Sequence, residues 1–223
     1  MTAARGLRRR PPGGNSVGSG RPGAEGRAVR LARTGLAATT CALGACAGLS
    51  GPDGPAAYAI DPAHTSVTFE AAHFGTSTHR GRFERTQGTV EIDRTGTAGR
   101  VDIRVATASI STGVPALDSR LRGPDFLDSE TYPDATFVAE GFTFSGGKLG
   151  AVAGSLTLRG KTLPLTLSAS HFNCYLSPLF VRQVCGGDFE TTLQRSLWGM
   201  DFGLDLGLPD RIRLLVQVEA IRE

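Results

Sequence analysis

Sequence motifs for catalysis are scarce in this chain. Residues 58–223 contain neither a G-x-S-x-G nucleophile turn nor an H-E-x-x-H zinc motif, and no C-x-x-C pair is present. The chain has only four histidines, and His64, His73 and His79 would be spread over roughly 50 Å of extended strand. Because a metal site needs three or four converging ligands, we predict neither a metal site nor catalytic residues.

Long apolar runs are also missing. The most apolar stretch of the first sixty residues, 34–50, is rich in small residues and too short to span a bilayer as a helix. It follows a group of arginines, and this order is typical of an export signal. The segment LGAC (43–46) resembles a lipoprotein cleavage site and makes Cys46 a lipidation candidate, whereas AAYA (56–59) would allow ordinary cleavage. Both outcomes stay open.

The charge is unevenly distributed along the chain. Residues 1–57 hold eight arginines against two acidic residues, whereas the remainder holds 16 basic and 19 acidic residues. We therefore predict a basic, Gly/Pro-rich leader over 1–57, removed or disordered, and a mildly acidic body over 58–223. An exported protein is expected, either periplasmic, secreted or anchored to a membrane through Cys46. The body lacks the basic patch that nucleic-acid binding requires.

Two cysteines lie in the body, Cys174 and Cys185, eleven residues apart. In an exported protein such a pair is typical of a disulfide that closes a loop. In the chain-entropy description, a loop of this size contributes about 2–3 kcal/mol to stability.

The body is dominated by segments in which apolar and polar residues alternate. This period of two predicts half-buried β-strands in an antiparallel sheet. Eight such segments cover 65–74, 81–93, 100–110, 134–145, 153–160, 161–172, 187–198 and 211–221. Two short helical candidates, 115–122 and 124–130, interrupt them. Eight strands suggest a sandwich or an up-and-down barrel, and a deep barrel suits a narrow, elongated ligand.

Four blocks of the body resemble, in order, the YceI-like family. They are YAIDPAHTSVTFEAAHFGTSTHRGRF (58–83), LRGPDFLDSETYPDATF (121–137), GSLTLRGKTLPLTL (154–167) and QRSLWGM (194–200). The resemblance implies an all-β, lipocalin-like fold: an extended eight-stranded antiparallel up-and-down barrel with short helical segments between strands three and four. It also implies binding of a long isoprenoid-type lipid, such as an isoprenoid quinone. The last block departs from the family pattern, because Leu197 and Trp198 replace Asp and Phe.

Strand alternation and the resemblance together give candidate ligand contacts. They are Val67, Phe69, His73, Phe83, Ile103, Val105, Phe126, Leu127, Phe137, Leu165 and Trp198. We expect Phe126 and Leu127 to point into the barrel from a lid over residues 121–133. The alternative for each residue is that it only fills the core.

The sequence thus predicts an exported, non-enzymatic binding or carrier protein for a long isoprenoid-type lipid. No cofactor is expected beyond the bound lipid, and the head group and the oligomeric state stay open. Two alternatives remain. One is an enzyme of isoprenoid or quinone metabolism that uses His73. The other is a structural or stress-response protein of the cell envelope whose barrel is filled by its own side chains.

Overall fold

A computed structural model describes residues 55–93 and 99–223, and most of these residues form one antiparallel sheet. The strands are β1 (Ala56–Ile60), β2 (Ser66–His73), β3 (Ser77–Phe83), β4 (Thr86–Ile92), β5 (Gly99–Ala106), β6 (Ile110–Ser111), β7 (Asp134–Ser145), β8 (Lys148–Leu158), β9 (Lys161–Ser177), β10 (Arg182–Gln194) and β11 (Arg211–Arg222). One α-helix, α1 (Pro115–Arg122), lies between β6 and β7. No helix within the described ranges is long and apolar enough to cross a membrane.

The sheet closes on itself as a barrel. Its order is β1-β4-β5-β7-β8-β9-β10-β11, and β11 pairs with β1 to complete the circle. β1 and β2 pair with successive parts of β11, so together they fill one strand position. On their other side, β4 pairs with β1 and β3 pairs with β2, so β3 and β4 fill the next position. Because β1 with β2 and β3 with β4 each occupy one position, the barrel has eight positions in up-and-down order. The predicted fold is confirmed.

The break between β1 and β2 is held by short-range hydrogen bonds. The Asp61 carboxylate accepts from the backbone N–H of Ala63 at 2.9 Å and lies 2.7 Å from Nδ1 of His64. This hydrogen bond lowers the pKa of Asp61 and raises the pKa of His64. The Thr65 hydroxyl bonds the backbone of Glu219 on β11. These contacts keep the two halves of the interrupted strand in line.

Some predicted boundaries change. Helix α1 falls where the sequence predicts it, but the second predicted helix, over 124–130, is wrong. It is a series of turns in which the Gly123 carbonyl accepts from the N–H groups of Phe126 and Asp128. The sequence also does not reveal β3 as a separate strand, because most of its residues are exposed and its alternation is weak. The short β1 lies in the region assigned to signal cleavage.

The β8–β9 connection is a two-residue turn, as the RGKT motif predicts. Leu158 pairs with Lys161, and the two turn residues, Arg159 and Gly160, have φ of 48° and 70°. Two consecutive positive φ values match a type I′ turn, whose twist suits a hairpin and whose second position favours glycine.

The barrel has two different ends. One end, which we call the plugged end, carries the β8–β9 turn, the segment 107–133 and the loop 195–210. The other, which we call the hairpin end, carries the β7–β8 and β9–β10 turns and the start of β1. The largest buried apolar cluster runs through the barrel interior and into the plugged end. Its members include Ile110, Leu127, Leu158, Leu193, Trp198 and Met200.

Candidate functional site

A narrow cavity of about 140 Å³ lies inside the barrel. Strands from every position of the barrel contribute to its lining, and the lining is almost entirely aliphatic or aromatic. Within the described part of the chain, no charged side chain lines it. Such a space can hold apolar matter by excluding water, but it offers few groups for acid–base chemistry.

Five of the predicted contact residues line the cavity. They are Val67, Ile103, Val105, Phe137 and Leu165, and they come from four different strands. The alternation of each strand determines which face points inward, so the sequence was sufficient to find them. Further lining residues, which are not among the predicted contacts, include Tyr58, Phe142, Val152, Leu156, Phe172, Phe189 and Val216.

Four other candidates lie in the core beside the cavity. Phe69 and Phe83 face each other across β2 and β3, with ring centroids 6.4 Å apart, and pack against the main buried cluster. Leu127 and Trp198 are fully part of that cluster, with 7% and 3% of their surface exposed. Any contact of these residues with a ligand stays a prediction.

The structure does not bring His73 or Phe126 to the cavity. His73 ends β2 beside the β2–β3 turn, which lies at the plugged end, and its ring lies against that of His79, with centroids 4.6 Å apart. The Phe126 ring contacts Phe202 instead, at 5.6 Å. In this turn the Leu127 side chain packs into the buried cluster, and the side chain of its neighbour Phe126 points away from the barrel interior.

The plugged end is held by hydrogen bonds to the turn between β8 and β9. Nη1 of Arg159 donates to the carbonyl oxygens of Phe126 at 2.7 Å and of Gly199 at 3.0 Å. Nε1 of Trp198 donates to the Lys161 carbonyl at 3.1 Å. One hairpin therefore ties down both segments that cross this end, and the segment 121–133 is part of the plug.

Arg195 supports the same end from below the surface. It is 5% exposed, and its guanidinium donates to the carbonyls of Pro209 at 2.8 Å, Phe202 at 2.9 Å and Met200. Burial lowers the pKa of this guanidinium. All three of these acceptors are backbone oxygens, so Arg195 has a structural role in holding the loop that ends at β11.

Thr86 is a polar lining residue that is not among the predicted contacts. It is 5% exposed, and its Oγ1 has no hydrogen-bond partner within the described ranges. The hydroxyl of Thr65, which also lines the cavity, is already bonded to Glu219. Thr86 lies an even number of residues before Val90 and Ile92 on β4, so strand alternation places all three on the same face. This spacing is the sequence signal that could have identified it. An unpaired hydroxyl in an apolar interior is costly unless another group satisfies it.

At the hairpin end, two cross-strand links brace the wall. Cys174 and Cys185 form the predicted disulfide between paired positions of β9 and β10. The Tyr58 hydroxyl donates to Oε1 of Gln183 at 2.8 Å. Both Tyr58 and Cys185 also line the cavity, so these links shape its end.

No metal centre is found among the residues that the structure describes, where no group of three His, Cys, Asp or Glu side chains converges. Within the described residues the cavity lining is apolar, and no charged side chains converge on it. Cys46, the lipidation candidate, lies outside the described residues.

Comparison with known families agrees with this geometry. The YceI-like domain profile matches residues 58–220, which is most of the chain. The chain belongs to the YceI-like family. Protein YceI of Escherichia coli is 31% identical over 170 residues, covering 74% of this chain and 87% of that protein. A UPF0312 protein of Vibrio campbellii is 38% identical over 116 residues, which is 50% of this chain and 61% of the relative.

Solved structures extend the YceI-like comparison to the fold. BcnA of Burkholderia cenocepacia superimposes with a TM-score of 0.60 at 22% identity, covering 72% of this chain and 98% of BcnA. A polyisoprenoid binding domain from Saccharophagus degradans gives a TM-score of 0.53 at 15% identity, covering 75% and 99%. At these identities the likeness concerns the barrel alone.

Proposed function

We propose that this YceI-like protein binds a long isoprenoid-type lipid in its barrel, without catalysing a reaction, and carries or stores it. The observation that carries the proposal is the apolar cavity, which is plugged at one end and has no charged lining among the described residues. The name of the Saccharophagus degradans domain supports the chemical class of the ligand.

The energy for such binding comes from burial of hydrocarbon. Each methylene group removed from water contributes roughly 0.8 kcal/mol, so a long chain binds tightly without a strong polar contact. A lining made of aliphatic and aromatic side chains is sufficient for this purpose. The selectivity for one lipid over another must then come from chain shape and from few polar groups.

The cavity must widen to accept a long chain. Its volume of about 140 Å³ is close to the ~150 Å³ of an engineered cavity that holds benzene. We infer that the partly exposed Phe142 and Phe172, which line the half nearer the hairpin end, rotate when a lipid enters. Entry from this end is favoured because Arg159 and Trp198 hold the other end closed.

Thr86 gives the bound lipid an orientation. It begins β4, pairs with Val105, and lies in the half of the barrel nearer the plug. A ligand oxygen beside it would accept a hydrogen bond from the unpaired Oγ1. We therefore favour a lipid with a carbonyl or hydroxyl on its head group, such as an isoprenoid quinone, held with the head inward and the tail toward the hairpin end.

A cavity-blocking variant tests the proposal. Val216 lines the cavity, whereas its neighbour Leu215 does not, so Val216→Phe and Leu215→Phe form a matched pair on β11. The full-length protein is incubated with a long-chain isoprenoid quinone, separated by gel filtration, and extracted to measure the lipid. We expect Val216→Phe to lose most of the uptake and Leu215→Phe to keep it. Equal uptake by both variants would contradict binding in the barrel.

A filled barrel is the second candidate, and the small volume of the cavity favours it. In that case the protein is a structural or stress-response component of the cell envelope. The same variants separate the two functions, since a filled interior would take up no quinone and would be destabilised by Val216→Phe, by about 1–3 kcal/mol. An enzyme that depends on His73 has no support from the cavity, because His73 lies outside its lining.

We also propose that residues 1–57 direct export and that Cys46 is a candidate for lipid attachment. The support is the order of basic, apolar and small residues in the sequence. Mass measurement of the mature N-terminus distinguishes the outcomes. A lipid-modified N-terminal Cys46 indicates an anchored lipoprotein, cleavage near residue 59 indicates ordinary export, and an intact chain contradicts both.

A further inference from the structure

The β9–β10 hairpin projects beyond the barrel wall and ends in exposed apolar side chains. β9 pairs with β8 only as far as Ser168, although it continues to Ser177. At the tip, Leu176, Leu179 and Val181 are 71%, 86% and 78% exposed. Monomeric proteins rarely keep clustered large apolar side chains in water without a partner for them.

The tip is an ordered structure. The Val181 N–H donates to the Ser177 carbonyl at 2.9 Å, and Ser177 itself is 3% exposed. The disulfide between Cys174 and Cys185 joins the two strands just below the tip. The apolar side chains are therefore held outward by the hairpin, and cannot readily fold back onto the barrel.

The apolar face of the hairpin is continuous with the cavity. Phe172 lines the cavity, and Cys174 and Leu176 follow at alternate positions of the same strand, on the same face. A hydrocarbon chain that leaves the cavity at this end would therefore meet apolar surface up to the tip. The plugged end offers no such path, since the buried cluster around Trp198 closes it.

Positive charge lies next to the apolar tip. Arg182 and Arg222, together with Glu223, line a concave surface at the base of the tip. Neither arginine forms an ion pair within the described ranges, whereas Arg80, Arg82, Arg100 and Arg213 each pair with a glutamate. Exposed apolar side chains beside unpaired arginines suit the interface of an anionic bilayer, where the former enter the head-group region and the latter contact phosphates.

We propose that the β9–β10 hairpin docks the protein on an anionic phospholipid bilayer and sets the hairpin end of the barrel against the membrane. The docking surface consists of Leu176, Leu179, Phe180, Val181, Arg182 and Arg222. This proposal goes beyond the proposed lipid ligand and does not rest on it. Docking is measured on vesicles, whereas the ligand is measured as bound quinone, so one can fail while the other holds.

Fluorescent reporters at the two ends of the barrel test the docking geometry. Leu179→Trp places a reporter at the tip, and Leu206→Trp places one at a comparably exposed position, 68%, of the opposite end. The full-length variants are mixed with vesicles of phosphatidylcholine and phosphatidylglycerol, with and without brominated acyl chains. We expect brominated lipid to quench the tryptophan fluorescence of Leu179→Trp more than that of the wild type, whose native Trp198 is buried. The fluorescence of Leu206→Trp should be quenched no more than that of the wild type. Quenching at Leu206→Trp, at both ends or at neither overturns the proposal.

A polar substitution measures the strength of docking. Leu179→Ser should weaken binding to these vesicles about tenfold, since a Leu side chain partly immersed in the interface is lost, while Leu206→Ser should bind as the wild type does. The basic leader is common to all variants, and flotation at moderate salt reduces its contribution. Unchanged binding by Leu179→Ser overturns the proposal. The proposal is also overturned if the wild type does not bind vesicles but self-associates with increasing concentration, and Leu179→Ser abolishes that self-association. The tip would then be a protein–protein contact.

Discussion

Replacement of Thr86 by valine should have opposite effects on stability and on ligand binding. Valine has nearly the shape of threonine but lacks the hydroxyl group. In the lipid-free protein that hydroxyl is buried, 5% of the residue is exposed, and Oγ1 has no partner in the described part of the chain. Removal of an unsatisfied polar group from an apolar interior should stabilise the fold, whereas removal of a ligand's hydrogen-bond partner should weaken the complex.

The expected magnitudes follow from the unpaired state of Oγ1. A buried unsatisfied group costs about 1–3 kcal/mol, so Thr86→Val should raise the free energy of unfolding by about 1 kcal/mol. A net hydrogen bond to a neutral ligand oxygen is worth about 0.5–1.5 kcal/mol, so quinone affinity should fall about two- to tenfold. An isoprenoid hydrocarbon without oxygen should bind the variant at least as well as the wild type.

The assay combines denaturant unfolding with competitive uptake. Unfolding midpoints of lipid-free wild type and Thr86→Val give the change in stability. Uptake from an equimolar mixture of an isoprenoid quinone and an isoprenoid hydrocarbon gives the change in preference. Val105→Ala is a useful comparison, because Val105 pairs with Thr86 on the neighbouring strand and lines the cavity but carries no polar group. It should lower stability and leave the preference unchanged.

A loss of stability in Thr86→Val would contradict an unpaired hydroxyl, since it would mean that Oγ1 is already satisfied in the lipid-free protein. An unchanged ratio of quinone to hydrocarbon would also refute it, because the head group would then lie elsewhere. Either result leaves the apolar cavity intact as a container but removes the orientation proposed for the lipid.

Three further predictions concern the frame around the cavity. Arg159→Met should lower the free energy of unfolding by about 2–3 kcal/mol, because two loop carbonyls lose their hydrogen-bond donor. If denaturant unfolding shows a change below about 0.5 kcal/mol, packing alone holds the plug. Joint replacement of Cys174 and Cys185 by serine should cost about 2–3 kcal/mol, and a reducing agent should lower the wild-type midpoint similarly but leave the variant unaffected. Asp61→Asn should return the raised pKa of His64 toward its ordinary value in an NMR titration, and an unchanged pKa would contradict the hydrogen bond. In the wild type the stabilisation by Asp61 is lost as pH falls through its lowered pKa, and that by His64 as pH rises through its raised pKa.

The alternation of residues was enough to predict the barrel and much of its interior. Val67, Ile103 and Val105 each lie at inward positions of half-buried strands, and each lines the cavity. A period of two identifies the face of a strand, but it carries no information about depth along the barrel axis. His73 has the same parity as Val67 on β2 and yet lies beside the β2–β3 turn at the plugged end, outside the cavity lining.

The sequence could not predict features that depend on turns and on contacts between distant segments. Phe126 and Leu127 are equally apolar neighbours, and only the path of the turn decides that Leu127 enters the core while Phe126 packs on Phe202. The importance of Arg159 also depends on distant partners, since its acceptors come from two separate loops. Thr86 is not distinguished in the sequence, because a threonine inside the predicted strand 81–93 is ordinary, and only the folded barrel shows its hydroxyl to be buried and, among the described residues, unpaired.

Native mass spectrometry of the purified full-length protein tests directly whether the barrel holds a lipid. Spectra are recorded as purified, after organic extraction, and after addition of a long-chain isoprenoid quinone. We expect a mass increment of one lipid per chain after addition, absent in Val216→Phe and present in Leu215→Phe. A folded protein that carries no lipid as purified and takes up none after addition would contradict lipid binding in the barrel and favour a filled one.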